Sequence, residues 1–218
     1  ALVGEVLTAR ERLGLADDTL VIYTSDNGAS PAVHFDELRA RGHEANGPWR
    51  GNKADLYEGG HRTPFIARWP GVIAPGTTCA ETICTTDLFA TVADVLGVPV
   101  PEGGGEDSVS LLPLLRGERP AGGVREATVH HSVSGHFAIR QGKWKLLLAR
   151  GSGGWSFPTE QQAEAWNLPP AQLYDLEQDP RESTNLAGAF PEKVRELTAL
   201  LERYRRSDRS VPPVRNHA

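Results

Sequence analysis

The sequence predicts an α/β protein: the end of a parallel-sheet α/β domain over residues 1–123, then a small antiparallel α+β lobe with a C-terminal helix over residues 124–218. Three observations carry that expectation. A helical apolar stripe leads directly into a continuous strand-forming run, the order expected of a parallel α/β sheet. A second strand and a second apolar-periodic helix follow in the same half. Past residue 124 the pattern changes to alternation, the mark of antiparallel strands with one packed face.

Residues 2–13, LVGEVLTARERL, place Leu2, Val6, Ala9 and Leu13 on one helical stripe with Val3 and Leu7 beside it, and Gly14 supplies the stop. TLVIYT (19–24) is β-branched and aromatic throughout, as suits a strand buried on both faces. From Gly28 to Gly60 regular pattern is lost, and loops this long inside a compact domain are usually functional. TPFIARW (63–69) reads as a strand closed by Pro70-Gly71.

TTDLFATVADVLGVP (85–99) is a helix with Thr86 or Asp87 as cap. Leu88, Val92 and Leu96 form one face with Phe89 and Ala93 adjacent, and Gly97 and Pro99 end it. VSLLPLLRGE (109–118), interrupted by Pro113, is expected to pack against the main sheet. HFAIR and KWKLLLA, joined through Gln141-Gly142, form a hairpin whose packed face carries Phe137, Ile139, Trp144, Leu146 and Leu148. QLYDL (172–176) supplies a third strand. PEKVRELTALLERYR (191–205) closes the chain as an amphipathic helix with Val194, Leu197, Leu201 and Tyr204 inward and Pro191 at its start.

A net charge of −5 gives no general attraction for nucleic acid or anionic membranes, so an anionic ligand would need a local cationic site or a metal. No apolar run approaches the roughly 20 residues that span a bilayer, and the N-terminus lacks the regions of a signal peptide. The chain contains no methionine and opens on a helical pattern, which suggests a start inside a domain. Cys79 and Cys84 fit neither a disulfide-rich framework nor a paired zinc motif, leaving pairing, reduction and burial all open. Histidines 34, 43, 61, 130, 131, 136 and 217 show no metal-binding spacing, and no G-x-S-x-G nucleophile elbow occurs. His130-His131 reads as a structural pair or as part of a substrate rim, for which His34, His43 and Trp49 are further candidates.

The chemistry concentrates around SDNG. Asp26 and Asn27 follow a predicted parallel strand, where open α/β sheets bind ligands, and their oxygens suit a hard cation such as Ca²⁺ or Mg²⁺. The competing reading is a turn: Asp and Asn favour turns for local hydrogen-bonding reasons. Its hairpin form needs an alternating strand straight after Gly28, and ASPAVHFDELRAR supplies none. Two residues cannot complete a calcium shell of about 6–8 oxygens. Lys53, in RGNKADLYEGG, is either a solvated loop lysine or an anion contact; the glycine spacing and Ala54 exclude a phosphate-binding loop of the G-x-x-x-x-G-K-[ST] type.

Six segments, in order, resemble the C-terminal portion of a type I sulfatase of the arylsulfatase A kind, in the alkaline phosphatase superfamily. They are LVIYTSDNG, NGPWRGNKADLYEGGHRTPFIARWPGVI, TTDLFATVADVLGV, DSVSLLPLLRGE, AIRQGKWKLLL and LYDLEQDPRESTNLAG. The resemblance implies an alkaline-phosphatase-like fold. It implies that Asp26 and Asn27 are half of a calcium site, and that Lys53 is a catalytic and substrate-binding lysine contacting the sulfate and its leaving oxygen. His61 stands where the family commonly has Ile or Val. The family's nucleophile is a formylglycine made from Cys or Ser in C/S-x-P-x-R, and neither CAETI nor CTTDL fits that motif. The chain by itself is therefore expected to be inactive, while the full-length protein would hydrolyse sulfate esters of carbohydrates or aryl alcohols. Family members are usually exported. A phosphate mono- or diester hydrolase of the same superfamily and a non-catalytic truncated module are the alternatives, and GNKADLYEGG with LYDLEQDP favours the sulfatase.

Overall fold

The computed structural model describes residues 2–101 and 103–211, so His217 lies outside the described residues. In chain order the elements are α1 (Leu2–Arg12), β1 (Val21–Thr24), a 3-10 turn (Pro31–Val33), α2 (Phe35–Ala40), α3 (Glu58–His61), β2 (Phe65–Arg68), α4 (Asp87–Val95), α5 (Leu112–Leu115), β3 (Thr128–His131), β4 (Phe137–Gln141), β5 (Trp144–Leu147), α6 (Glu160–Ala165), β6 (Gln172–Asp175) and α7 (Pro191–Ser207). They divide into two units, Ala1–Thr24 with Pro64–Val124 and Ser25–Thr63 with Arg125–Ala218. Among the described residues no helix is long and apolar enough to cross a membrane.

In the first unit β1 and β2 pair antiparallel, Val21 opposite Arg68 and Thr24 opposite Phe65. The helix–strand order had predicted a parallel sheet. Parallel pairing requires a crossover that returns the chain to its starting edge, and the segment joining these strands contributes no such helix to this unit. The apolar stripe of α1 is not a core face either. Leu2, Val3, Val6 and Leu13 are exposed, and the buried residue of that helix is Arg10. A two-stranded ladder is too narrow to cover such a stripe.

α4 is fixed by Asp87, whose carboxylate accepts from Cys84 N at 2.7 Å and Val109 N at 3.0 Å. The segment expected to pack on the main sheet docks on α4 instead. Leu111 N donates to Thr91 Oγ1 at 2.9 Å, and Leu111, Leu112 and Leu114 are buried. No disulfide joins Cys79 and Cys84.

The second unit is built on a four-stranded antiparallel sheet of order β3-β4-β5-β6. The hairpin face identified from alternation is correct: Ile139, Leu146 and Leu173 pack with Leu197, Leu200, Leu201 and Tyr204 of α7. The opposite face, which alternation assigns to solvent, is also covered. Ala138, Leu147 and Tyr174 meet Leu56 and Tyr57 there, and Lys145 is fully buried. The segment that covers it is the one without regular pattern.

Candidate functional site

The glycine-rich segment 50–60 carries the predicted lysine and is held in an uncommon backbone conformation. Lys53 lies between Gly51, at φ 82°, and Ala54, at φ 85°. A non-glycine residue at positive φ persists where its surroundings hold it. Ala54 O accepts from Val133 N at 3.1 Å, and Asp55 Oδ2 accepts from Asn52 N at 2.8 Å, closing the turn around the lysine.

This turn is laced to the loop that carries Asp26 and Asn27. Lys53 N donates to Ala29 O at 3.0 Å, Gly28 N donates to Gly60 O at 2.9 Å, and Ala29 N donates to Asn46 Oδ1 at 2.7 Å. The backbones are in direct contact. A Cβ placed on Gly28 would fall 1.7 Å from Gly59 O, so only glycine fits between the two loops. The SDNG glycine is therefore a close-approach residue and not the second residue of a hairpin turn.

Asp26, Asn27 and Lys53, which the sequence singled out, are thereby gathered in one unit. Asp26 is exposed, and Asn27 and Lys53 are partly buried. Asn27 Nδ2 donates to Gly28 O at 2.9 Å, so the amide nitrogen is used locally and the Oδ1 is the atom of that side chain suited to a cation. One carboxylate and one amide oxygen are hard donors that suit calcium as part of a shell. Among the described residues no group of three or more His, Cys, Asp or Glu converges as a metal site.

Beneath the site lies a charged cluster that sequence reasoning did not identify. Lys145 Nζ, on β5, is 3.0 Å from Glu58 Oε1 and 2.8 Å from Glu182 Oε1, and all three side chains are essentially inaccessible. Glu58 Oε2 also meets Arg62 at 3.2 Å and Arg140 at 3.4 Å, while Glu58 N donates to Glu182 Oε2 at 2.7 Å. Arg50 donates to Glu182 O at 2.6 Å and lies over the Tyr57 ring at 3.9 Å. Burial opposes the charge on Glu58, but Lys145, Arg140 and Arg62 outweigh it and hold the carboxyl down to about 2. Glu182 moves the other way. Burial raises it, and the Lys145 ammonium at its carboxylate does not compensate.

His61 and His130 join this cluster, which settles where the histidines that the sequence left ambiguous lie. Their rings meet at a tilt of 49°, 3.6 Å between centroids, and Nε2 of each approaches Leu56 O, at 2.9 and 3.2 Å. Lys145 Nζ is 3.2 Å from His61 Nε2. His130 is thus part of the support and not of an exposed rim, whereas His34, His43 and His131 are exposed. Burial first, then the charge of Lys145, pushes His61 well below its ordinary range; burial, His61 and Lys145 do the same to His130.

A pH dependence follows. Imidazoles kept neutral in the fold contribute stability that is present above about pH 6.5 and is lost as pH falls below it, since only the unfolded chain takes up the protons. Each contributes up to about 1.4 kcal/mol per pH unit in that window. Glu58 adds a loss from about pH 4.5 down to about 2, and Glu182, with its raised value, works in the opposite sense. Urea midpoints measured between pH 7 and 5 should fall steeply, and His130→Gln should flatten the dependence. An unchanged slope in that variant would refute the buried neutral pair.

Comparison with known proteins gives a consistent result. The sequence profile of the family described as Sulfatase matches residues 1–98. An N-acetylgalactosamine-6-O-sulfatase of Bacteroides thetaiotaomicron is 37% identical over 205 residues, covering 92% of this chain and 39% of that protein. Human arylsulfatase A is 36% identical over 214 residues, covering 92% and 40%. A solved structure from glycosaminoglycan metabolism by bacteroides thetaiotaomicron superposes with a TM-score of 0.77 at 35% identity, over 92% of this chain and 42% of that one. The chain thus spans about two fifths of the length of the curated relatives it matches.

Proposed function

We propose that the chain, whose residues 1–98 match the family described as Sulfatase, forms the part of a sulfuric ester hydrolase that supplies half of a calcium shell and the lysine facing the sulfate. The observation that carries this reading is the backbone lacing of the two loops, Lys53 N to Ala29 O and Gly28 N to Gly60 O, which fixes Lys53 beside the Asp26-Asn27 pair. In this reading Asp26 and Asn27 would hold the cation through oxygen, and the cation when bound neutralises charge on the sulfate. Lys53 donates a hydrogen bond to the ester's leaving oxygen. Negative charge grows on that oxygen as the S–O bond breaks, so the ammonium stabilises the transition state more than the ground state.

The sequence contains no C-x-P-x-R, so the nucleophile is not among these residues, and turnover is assigned to a polypeptide that carries both parts. Sulfated carbohydrate is the substrate class favoured by the relative named an N-acetylgalactosamine-6-O-sulfatase. In such a complete enzyme Lys53→Ala should lower kcat by about 10²–10³-fold. The variant should fold normally, because no ion pair or hydrogen bond of the Lys53 side chain holds the unit together among the described residues. Steady-state kinetics checks this, and a Lys53→Ala enzyme within threefold of wild type would exclude the assigned role.

A further inference from the structure

The loop between β5 and α6 is anchored more tightly than a surface connection requires. Glu160 turns its carboxylate back into the loop and accepts from Arg150 N at 3.1 Å, Gly151 N at 2.8 Å and Gly153 N at 3.1 Å. A second carboxylate holds the loop's outer half: Asp55 Oδ1 accepts from Trp155 N at 2.8 Å and Ser156 N at 3.0 Å, and Asp55 Oδ2 accepts from the Ser156 hydroxyl. Leu56 N donates to Ser152 O at 2.9 Å. Five residues of the loop, Arg150, Gly151, Gly153, Trp155 and Ser156, thus donate to two acids.

That anchorage places the loop against the turn of Lys53. Asn52 Nδ2, one residue before the lysine, donates to Ser156 Oγ at 2.8 Å. A Cβ on Gly154 would fall 2.4 Å from the carbonyl oxygen of Ala54, one residue after it. The residues on both sides of Lys53 therefore touch the residues on both sides of Trp155. Yet the rings that the loop carries contribute little to the core. Trp155 is 52% exposed and Phe157 66%, and Phe157 meets Trp166, itself 54% exposed, edge-on at 5.3 Å between centroids. Burying these rings would be favourable by about 25 cal/mol per Å², so a rigid loop that keeps them outward next to a lysine has the character of a ligand platform.

We propose that the exposed Trp155, on the same loop as Phe157, is the ledge on which the ring of a sulfated hexosamine stacks while its sulfate lies toward Lys53. A sulfated pyranose has an anionic group on an apolar C–H face, which matches a cation set beside an aromatic surface. Because the loop is held before binding, little ordering cost opposes the stacking. The inference rests on the sulfatase reading above and adds the residue that selects for a ring.

The test is the specificity ratio of the complete enzyme, kcat/KM for its best sulfated hexosamine over kcat/KM for ethyl sulfate, which has no ring. Trp155→Ala should lower this ratio about tenfold, mostly through KM for the hexosamine, and Trp155→Phe should restore most of it. Phe157→Ala, at a side chain more exposed still, should lower it less. A ratio unchanged in Trp155→Ala overturns the ledge, as does an equal loss on both substrates, which would indicate a merely structural loop. A wild-type enzyme that hydrolyses no sulfated hexosamine overturns the substrate class. Failure of the sulfatase reading itself would appear elsewhere, as turnover surviving Lys53→Ala.

Discussion

In the proposed reading, Asp26→Ala introduced into the complete protein should lower kcat/KM for sulfate esters by at least about 10³-fold while leaving the thermal midpoint nearly unchanged. A cation at a reacting oxyanion is worth several kcal/mol of transition-state stabilisation, and each 1.4 kcal/mol is a factor of ten in rate. The carboxylate supplies the only formal charge of the Asp26-Asn27 pair, so its removal weakens the site more than loss of the amide would. Stability should be spared because Asp26 is exposed and its side chain holds no described hydrogen bond or ion pair. The separation of the two readouts distinguishes a ligand from a structural turn. A turn-forming aspartate would cost stability and leave chemistry largely intact.

Lys145→Met should be the most destabilising single change in the second unit, at about 3–5 kcal/mol, the range measured when one partner of a buried ion pair is removed. Lys145 is fully buried between Glu58 and Glu182, whose side chains are 2% and 0% exposed. Methionine nearly matches the volume, so packing loss is minor and the cost reports the orphaned carboxylates. Glu58 keeps Arg62 and Arg140, but Glu182 loses the Lys145 cation at its carboxylate, which burial already pushes up, and should bind a proton more readily still. The double variant Lys145→Met/Glu182→Gln should therefore recover part of the loss. Activity should fall as well, because Glu58 opens α3, and Gly59 and Gly60 of that helix support Gly28. A Lys145→Met protein within 1 kcal/mol of wild type in urea denaturation would show that the cluster is not what holds this segment.

Much of the second unit was legible because its core obeys simple periods. Ile139, Leu146 and Leu173 alternate, Leu197 and Leu201 are a helical turn apart, and they meet. β3 was missed: TVHH offers only four residues, two of them histidines, and no apolar alternation. In the first unit the stripe of α1 and the run of β1 were read correctly as local structure, but period cannot reveal what covers a face or which way a partner strand runs. The same limit applies to the site. Asp26, Asn27 and Lys53 stood out through motif resemblance, and the loss of pattern from Gly28 to Gly60 marked the segment as unusual. Nothing local indicated Lys145 or Glu182, which meet Glu58 across 87 and 124 positions of sequence. A lysine at an alternating position of a hairpin reads as solvent-facing until an irregular segment is seen to cover it.

Whether Asp26 and Asn27 ligate a calcium ion is read from the calcium content of the complete protein with and without the two side chains. Wild type should carry about one calcium per chain after gel filtration in metal-free buffer. The Asp26→Ala/Asn27→Ala protein, still folded by circular dichroism, should carry essentially none and should not turn over a sulfate ester. Full calcium occupancy together with retained turnover in that double variant would show that Asp26 and Asn27 are not calcium ligands.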